Sequence, residues 1–195
     1  MTMALRAGSS YPPASPSPYD GQRMTEEEFL RLDHVKPRLE YIDGRAVQKP
    51  VTKRKHVRIA HAIDVALERV VRSQGGDAGP EPHIWFAAER QYRLPDVAYW
   101  APGKPQGDDY RMLAPTLVVE VRSRDETMVE QRAKCRFYRD HGVDVAWLID
   151  PEARAVEVFE DANDGELLSA NAALESSYLP GFSLPLAELF AVLDR

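Results

Sequence analysis

Two carboxylates in this 195-residue chain have neighbours that suit metal chemistry. Asp96 follows Pro95 at the head of the run DVAYW, and Glu120 lies near the end of the apolar run TLVVEV. Both runs read as strands. If they pair, two acids meet at one edge of a sheet. An ionised carboxylate taken out of water needs a partner, and a divalent cation is one. Magnesium takes oxygen ligands and keeps several waters, so one or two carboxylates and a backbone carbonyl suffice to hold it. Such an ion lowers the pKa of a water and neutralises charge on a phosphoryl group, which is the chemistry of phosphodiester hydrolysis. Plainer readings stay open: Asp96 could end a turn after its proline, and Glu120 could pair with Arg122 or Arg124 on a strand rim.

The elements that must position these acids follow from pattern. MTEEEFLRLD predicts a short helix capped by Thr25, with glutamates at its positive end. RLEYIDGRAVQK predicts a hairpin turning at Asp43-Gly44, since that pair tolerates the positive φ of a tight turn. From about His56 to Arg72, Ile59, Ile63, Leu67 and Val70 recur at helical spacing, and Gln74-Gly75-Gly76 ends the helix. Its basic start (Lys53, Arg54, Lys55, His56, Arg58) opposes the helix dipole, leaving a solvated loop or phosphate contact as equal readings. HIWFAAERQYRL supplies one or two strands, DVAYW another, and APGKPQGDD a loop. TLVVEV suits the middle of a sheet. Ser123 to Glu126 has capping-box spacing ahead of a helix that runs to about His141. VAWLID and ARAVEVFE are further strands, the second suited to a sheet edge. LPGFSLPLAELFAVL turns at Pro180-Gly181 into a short helix. A mixed β-sheet with an N-terminal hairpin and flanking helices accommodates this order, an α/β (α+β) arrangement.

Composition narrows the classes. Apolar residues are 44% and charged residues 29% of the chain, ordinary for a globular domain. No apolar run is long enough to span a membrane. The first twenty or so residues are rich in Ser, Pro and Gly, predicting a flexible tail over 1–22 and one domain over 23–195. With Cys135 as its one cysteine, the chain forms no internal disulfide, and a reducing cytoplasm is expected. A formal charge of −6 argues against a uniformly basic surface without excluding a local basic patch.

Pro95-Asp96 followed by Glu120-Val121-Arg122 resembles the signature of the PD-(D/E)XK nucleases. More narrowly, LEYIDGRAV, His56, LPDVAYW, PTLVVEVRS, KCRFY, the HGV turn and VAWLIDP resemble, in order and spacing, the Uma-two family of restriction-endonuclease-like bacterial proteins. The match runs from about Met24 to Phe190. The resemblance implies a restriction-endonuclease-like core with Asp96, Glu120 and the carbonyl of Val121 as ligands of Mg²⁺ or Mn²⁺, and Glu40 as a supporting acid. It also implies a cationic member. The broad superfamily has a lysine two residues past the glutamate, where this chain has Arg122. An arginine can stabilise charge but cannot act as a base. The Uma-two pattern instead carries a lysine on the next helix, and Lys134 matches it. Glu130, Lys134 and Tyr138 share a helix face at four-residue spacing, with Gln131 nearby. Lys134 with Glu130 is equally an ordinary surface pair, and Glu40 an ordinary hairpin residue. His56 and His61 need not be ligands; His56 could cap or contact the site, a solvated histidine being the commoner case. Trp85, Trp100 and Trp147 are most simply core or interface residues.

The expectation is a metal-dependent endonuclease acting on DNA as a homodimer, with Lys134 the favoured cation and Arg122 in reserve. The competing expectation is a nuclease-fold module that binds nucleic acid or a protein without cutting, kept open by Arg122. A third is a defence-associated or toxin-like component active only in a complex.

Overall fold

The computed structural model describes residues 16–32, 35–108 and 111–194. Thr25 caps α1 (Glu26–Leu30) through a capping box with Glu28. The hairpin follows as β1 (Leu39–Ile42) and β2 (Arg45–Gln48), with Asp43 and Gly44 at φ 51° and 74° in the turn. Two positive values in succession give the turn the twist that paired strands need. α2 (Arg54–Gln74) ends at Gly75, whose φ of 87° suits glycine. Next come β3 (Asp77–Pro80), β4 (Ile84–Phe86), β5 (Gln91–Arg93) and β6 (Val97–Trp100). The two-residue strands β7 (Gly107–Asp108) and β8 (Arg111–Met112) precede β9 (Leu117–Val121). α3 (Met128–Asp140), β10 (Val145–Asp150), β11 (Ala155–Glu160) and β12 (Asn163–Leu167) follow. β13 (Ala173–Leu174), β14 (Leu184–Pro185), α4 (Leu186–Ala191) and a 3₁₀ turn (Val192–Asp194) close the described chain.

The central sheet runs β12-β11-β10-β9-β6-β3. Only β9 and β10 are parallel, joined by the crossover helix α3, and the other neighbours are antiparallel. α2 covers one face: Ile59, Ile63, Leu67 and Val70 pack on Val97, Leu117, Val119, Val121 and Trp147. α3 covers the other, where Cys135 and Tyr138 pack on Ala98, Val118, Ala146 and Leu148. Strand alternation divides β9 between the two. A second sheet, β2-β1-β5-β4-β8-β7, carries the hairpin beside the first, with its own cluster of Phe29, Leu39, Tyr41, Ala46 and Tyr92.

Three local expectations change, and one strand forms without a signal in the sequence. α3 starts at Met128 rather than after Ser123. Thr127 forms the capping box with Glu130, while Glu126 folds back to accept the Ser123 N–H at 2.9 Å. The same spacing occurs twice, and the second copy is the one followed by an uninterrupted helix. β11 is not the sheet edge, because the polar segment 163–167 pairs outside it as β12. Asp77–Pro80 pairs with β6 although its composition reads as loop, since backbone hydrogen bonds ask little of side chains. Residues 16–22, expected to belong to a flexible tail, are tied to the hairpin. The Ser17 N–H donates to Gln48 Oε1 at 2.6 Å, the Gln48 N–H to Asp20 Oδ1 at 2.8 Å, and the Gly21 N–H to the Ala46 carbonyl at 2.8 Å. The rest of that expected tail, 1–15, lies outside the described residues. No described helix is long and apolar enough to cross a membrane.

Candidate active site

The join between β5 and β6 and the end of β9 bring the acids together. The Asp96 N–H donates to the Val119 carbonyl at 3.0 Å, and its Oδ2 accepts the Val121 N–H at 2.7 Å. Asp96 is therefore bonded to the peptides on either side of Glu120, to one through its backbone N–H and to the other through its carboxylate. Glu120 alternates with Val119 and Val121 and so faces α3, where Oε1 accepts Tyr138 O–H at 2.8 Å and lies 3.0 Å from Lys134 Nζ. Glu40, from β1, enters from the second sheet. Its Oε1 accepts the Leu94 N–H at 2.9 Å and lies 3.3 Å from the same Lys134 Nζ. All three acids are buried.

Two ammonium groups serve these three acids. Lys134 bridges Glu40 and Glu120. Lys49, one residue past β2, donates to Asp96 Oδ1 at 2.8 Å and to the Leu94 carbonyl at 2.8 Å. His56, in the first turn of α2, adds its Nε2 at 3.2 Å from Asp96 Oδ1, and its Nδ1 lies 3.4 Å from Ser123 Oγ.

The acids respond differently. Burial opposes ionisation of Asp96, but Lys49 and the His56 contact outweigh it and hold the carboxyl well below the usual carboxylate range. At Glu40 burial is likewise outweighed, by Lys134, Arg93 and Lys49, and its pKa is lowered. At Glu120 burial wins. Against the pull of Lys134, and with Asp96 adding repulsion, its pKa rises to about 7. Burial weighs against charge on Lys134 too, yet Glu120, Glu40 and Asp96 keep it protonated far above the ordinary lysine range. Lys49 shifts the same way, led by Asp96 against burial.

The converging donors are oxygens, the set that Mg²⁺ or Mn²⁺ takes. Three buried carboxylates share two ammonium groups, and Glu120 is left short of positive charge. A divalent ion would supply it, with Asp96, Glu120 and the Val121 carbonyl as donors, so the residues fit such a group. Among the described residues no three His, Cys, Asp or Glu side chains form a ready cage, and a magnesium site of one or two carboxylates completed by water needs none.

Arg122 stands apart. Its guanidinium pairs with Asp150 at 3.0 Å and donates to the Glu126 carbonyl at 3.3 Å, because β10 runs alongside β9 and offers Asp150 there. Glu120 takes Lys134 rather than Arg122 as its partner. Glu130 does not join the site either, since its carboxylate is the α3 cap. Gln131 is buried and donates to Glu126 Oε1 at 2.7 Å. Of the two readings of His56, solvated or in contact with the site, the structure has the second: it is buried against Asp96. In the basic stretch that opens α2, Lys53 pairs with Asp125 at 3.1 Å and Lys55 with Glu152 at 2.7 Å. The residue that sequence reasoning misses is Lys49. Nothing in KPVTKRKH separates it from Lys53 or Lys55, and only the fold buries it.

Comparison with known proteins agrees with this fold. The Uma2 family, described as "Putative restriction endonuclease", matches residues 26–187. Five chains of solved structures match. One is a putative nuclease belonging to DUF820 from Anabaena variabilis, 25% identical, covering 87% of this chain and 99% of its own, with a TM-score of 0.75. No curated protein matches.

Proposed function

The chain belongs to the Uma2 family of putative restriction endonucleases and has the restriction-endonuclease-like fold, and from that premise we propose that it is a Mg²⁺- or Mn²⁺-dependent endonuclease acting on DNA. The observation that carries this reading is the convergence of buried Asp96 and Glu120 on adjacent strands, with Lys134 Nζ 3.0 Å from Glu120. When bound, a divalent cation supplies charge neutralisation at a phosphoryl group and acidifies the water beside it. Asp96 and Glu120, with the Val121 carbonyl, are the residues to hold it. Asp96 is pre-aimed by the Val121 N–H and Glu120 by Tyr138 O–H, so neither has to be ordered on binding. Lys134 stays protonated, which suits it to steady anionic charge on the phosphoryl group rather than to accept a proton. Glu40 gives Lys134 a second carboxylate partner, at 3.3 Å. Cutting both strands of a duplex calls for two such sites, so a homodimer in the cytoplasm is part of the proposal.

The test is metal-dependent nicking of supercoiled plasmid by the purified chain, with Mg²⁺ and Mn²⁺ titrated separately. Nicking that vanishes on chelation and in Asp96→Ala and Glu120→Ala supports the reading. DNA binding with no cleavage at any metal concentration favours the second one, a nuclease-fold binding module. The ammonium partners already on the acids favour that alternative, since they let the cluster persist without metal.

A further inference from the structure

We infer that Lys49 is a resident counter-cation of the proposed metal site, holding the Asp96 end in place of metal and setting the affinity for a divalent ion low until a phosphodiester arrives. This deepens the metal-dependent reading and rests on it.

Lys49 reaches Asp96 in a way a surface lysine does not. Lysine has a four-carbon stem and ordinarily keeps its head in water. Here the head is turned inward, with only 7% of the side chain exposed. Its backbone is anchored by the N–H bond to the Arg38 carbonyl at 2.9 Å, and its ammonium by two oxygens, Asp96 Oδ1 and the Leu94 carbonyl. Burying an ammonium is costly unless an anion receives it, and Asp96 is that anion.

The occupancy of Asp96 has a consequence for any incoming cation. A carboxylate has about four acceptor positions. Lys49 and His56 converge on Oδ1, and the Val121 N–H takes one position on Oδ2. A metal ion binding Asp96 meets an ammonium on the same carboxylate, and the two repel across a few ångströms of low-dielectric interior. Lys134 differs because Glu120 and Glu40 share it, which leaves those two acids with a net negative charge.

Formal charge points the same way. With all three acids ionised and His56 counted as a neutral imidazole, Glu40, Asp96 and Glu120 against the two ammonium groups that touch them, Lys49 and Lys134, leave one negative charge. A divalent ion turns that into one positive charge, and the backbone phosphate of a nucleic acid cancels it. Without Lys49, metal alone would balance the site. Lys49 therefore ties metal retention to substrate, and by linkage metal tightens substrate in the same measure.

Mn²⁺ binding to the full-length chain tests this, by calorimetry and by the electron paramagnetic resonance signal of free Mn²⁺. Lys49→Gln keeps a neutral donor for Asp96 and should bind Mn²⁺ at least about tenfold more tightly than the wild type. A duplex with phosphorothioate linkages, which resists cleavage, should tighten Mn²⁺ binding more in the wild type than in Lys49→Gln. Unchanged or weaker Mn²⁺ binding in Lys49→Gln, with Asp96→Asn still abolishing it, overturns the role of Lys49 and leaves the metal site standing. If neither wild type nor Lys49→Gln binds Mn²⁺, or if Asp96→Asn binds it as the wild type does, the metal reading fails and this one with it. Should Lys49→Gln fold poorly, Lys49→Arg carries the test. A guanidinium retained on Asp96 must leave affinity at or below the wild-type value, and tighter binding by that variant overturns the inference.

Discussion

The two faces of β9 are built from one strand and do opposite things. On the α2 side, Leu117, Val119 and Val121 meet Ile59, Ile63 and Leu67 in a wholly apolar interface. On the α3 side, Val118 sits in an apolar cluster, but one alternation further along Glu120 meets Lys134 and Tyr138. The first face gains stability from every contact. The second gives some up: Glu120 is buried with a pKa near 7, so at neutral pH its charge is barely supported. Stabilising packing and a reactive cluster can thus share a five-residue strand, because side chains that alternate across a sheet have separate surroundings. Polar groups that strain a fold in this way are expected where it does chemistry.

The largest effect should come from the polar face and should split activity from stability. Glu120→Gln is expected to cut plasmid nicking at least about a hundredfold, as loss of a group that orients a metal does. In melts with chelator present, the same variant should be more stable than the wild type by a few degrees at pH 8. The sign follows from the shift. Below the ordinary value near 4.5 the acid is protonated whether folded or not, and the two proteins differ little on this account. Between there and about 7 the folded protein keeps a proton that the unfolded chain releases, so wild-type stability falls as pH rises. Above 7 the whole penalty is present. A Glu120→Gln advantage that is equal at pH 5 and pH 8 would contradict this account of the polar face.

On the apolar face, Ile63→Ala should cost about 2–5 kcal/mol in denaturant melts while leaving nicking per folded molecule unchanged. Loss of nicking from the folded variant would mean that the two faces are coupled. Arg122→Gln is expected to do less, about 1–3 kcal/mol from leaving Asp150 without its partner, with nicking altered less than about twofold. Abolished cleavage there would move Arg122 into the chemistry and remove the sharp border drawn between the acid cluster and the Arg122–Asp150 pair. Lys134→Met should abolish nicking, and comparable activity in that variant would reject its assigned role.

Much of the frame is legible in residue order. The turn at Asp43-Gly44, the periodicity of α2, and the apolar strands around Asp96 and Glu120 follow from local backbone preference and burial pattern. These operate over a few residues and leave a mark in the chain. Less legible are segments whose pairing relies on backbone bonds alone, such as Asp77–Pro80 and Asn163–Leu167, whose composition suggests loop. Between the two copies of the capping box, Ser123–Glu126 and Thr127–Glu130, spacing offers no preference either.

By itself, the order of residues determines that two acids stand on or beside apolar strands and that a lysine lies on the helix after the second; that the two strands are neighbours is a fact of the sheet. Which cations serve which acids was decided by the tertiary structure. Lys49 lies 47 positions from Asp96 and Lys134 lies 94 from Glu40, and each pair meets only when the hairpin sheet docks against the central one. Charge interactions depend on distance in space and on exclusion of water, and neither is written in the spacing of residues along a chain.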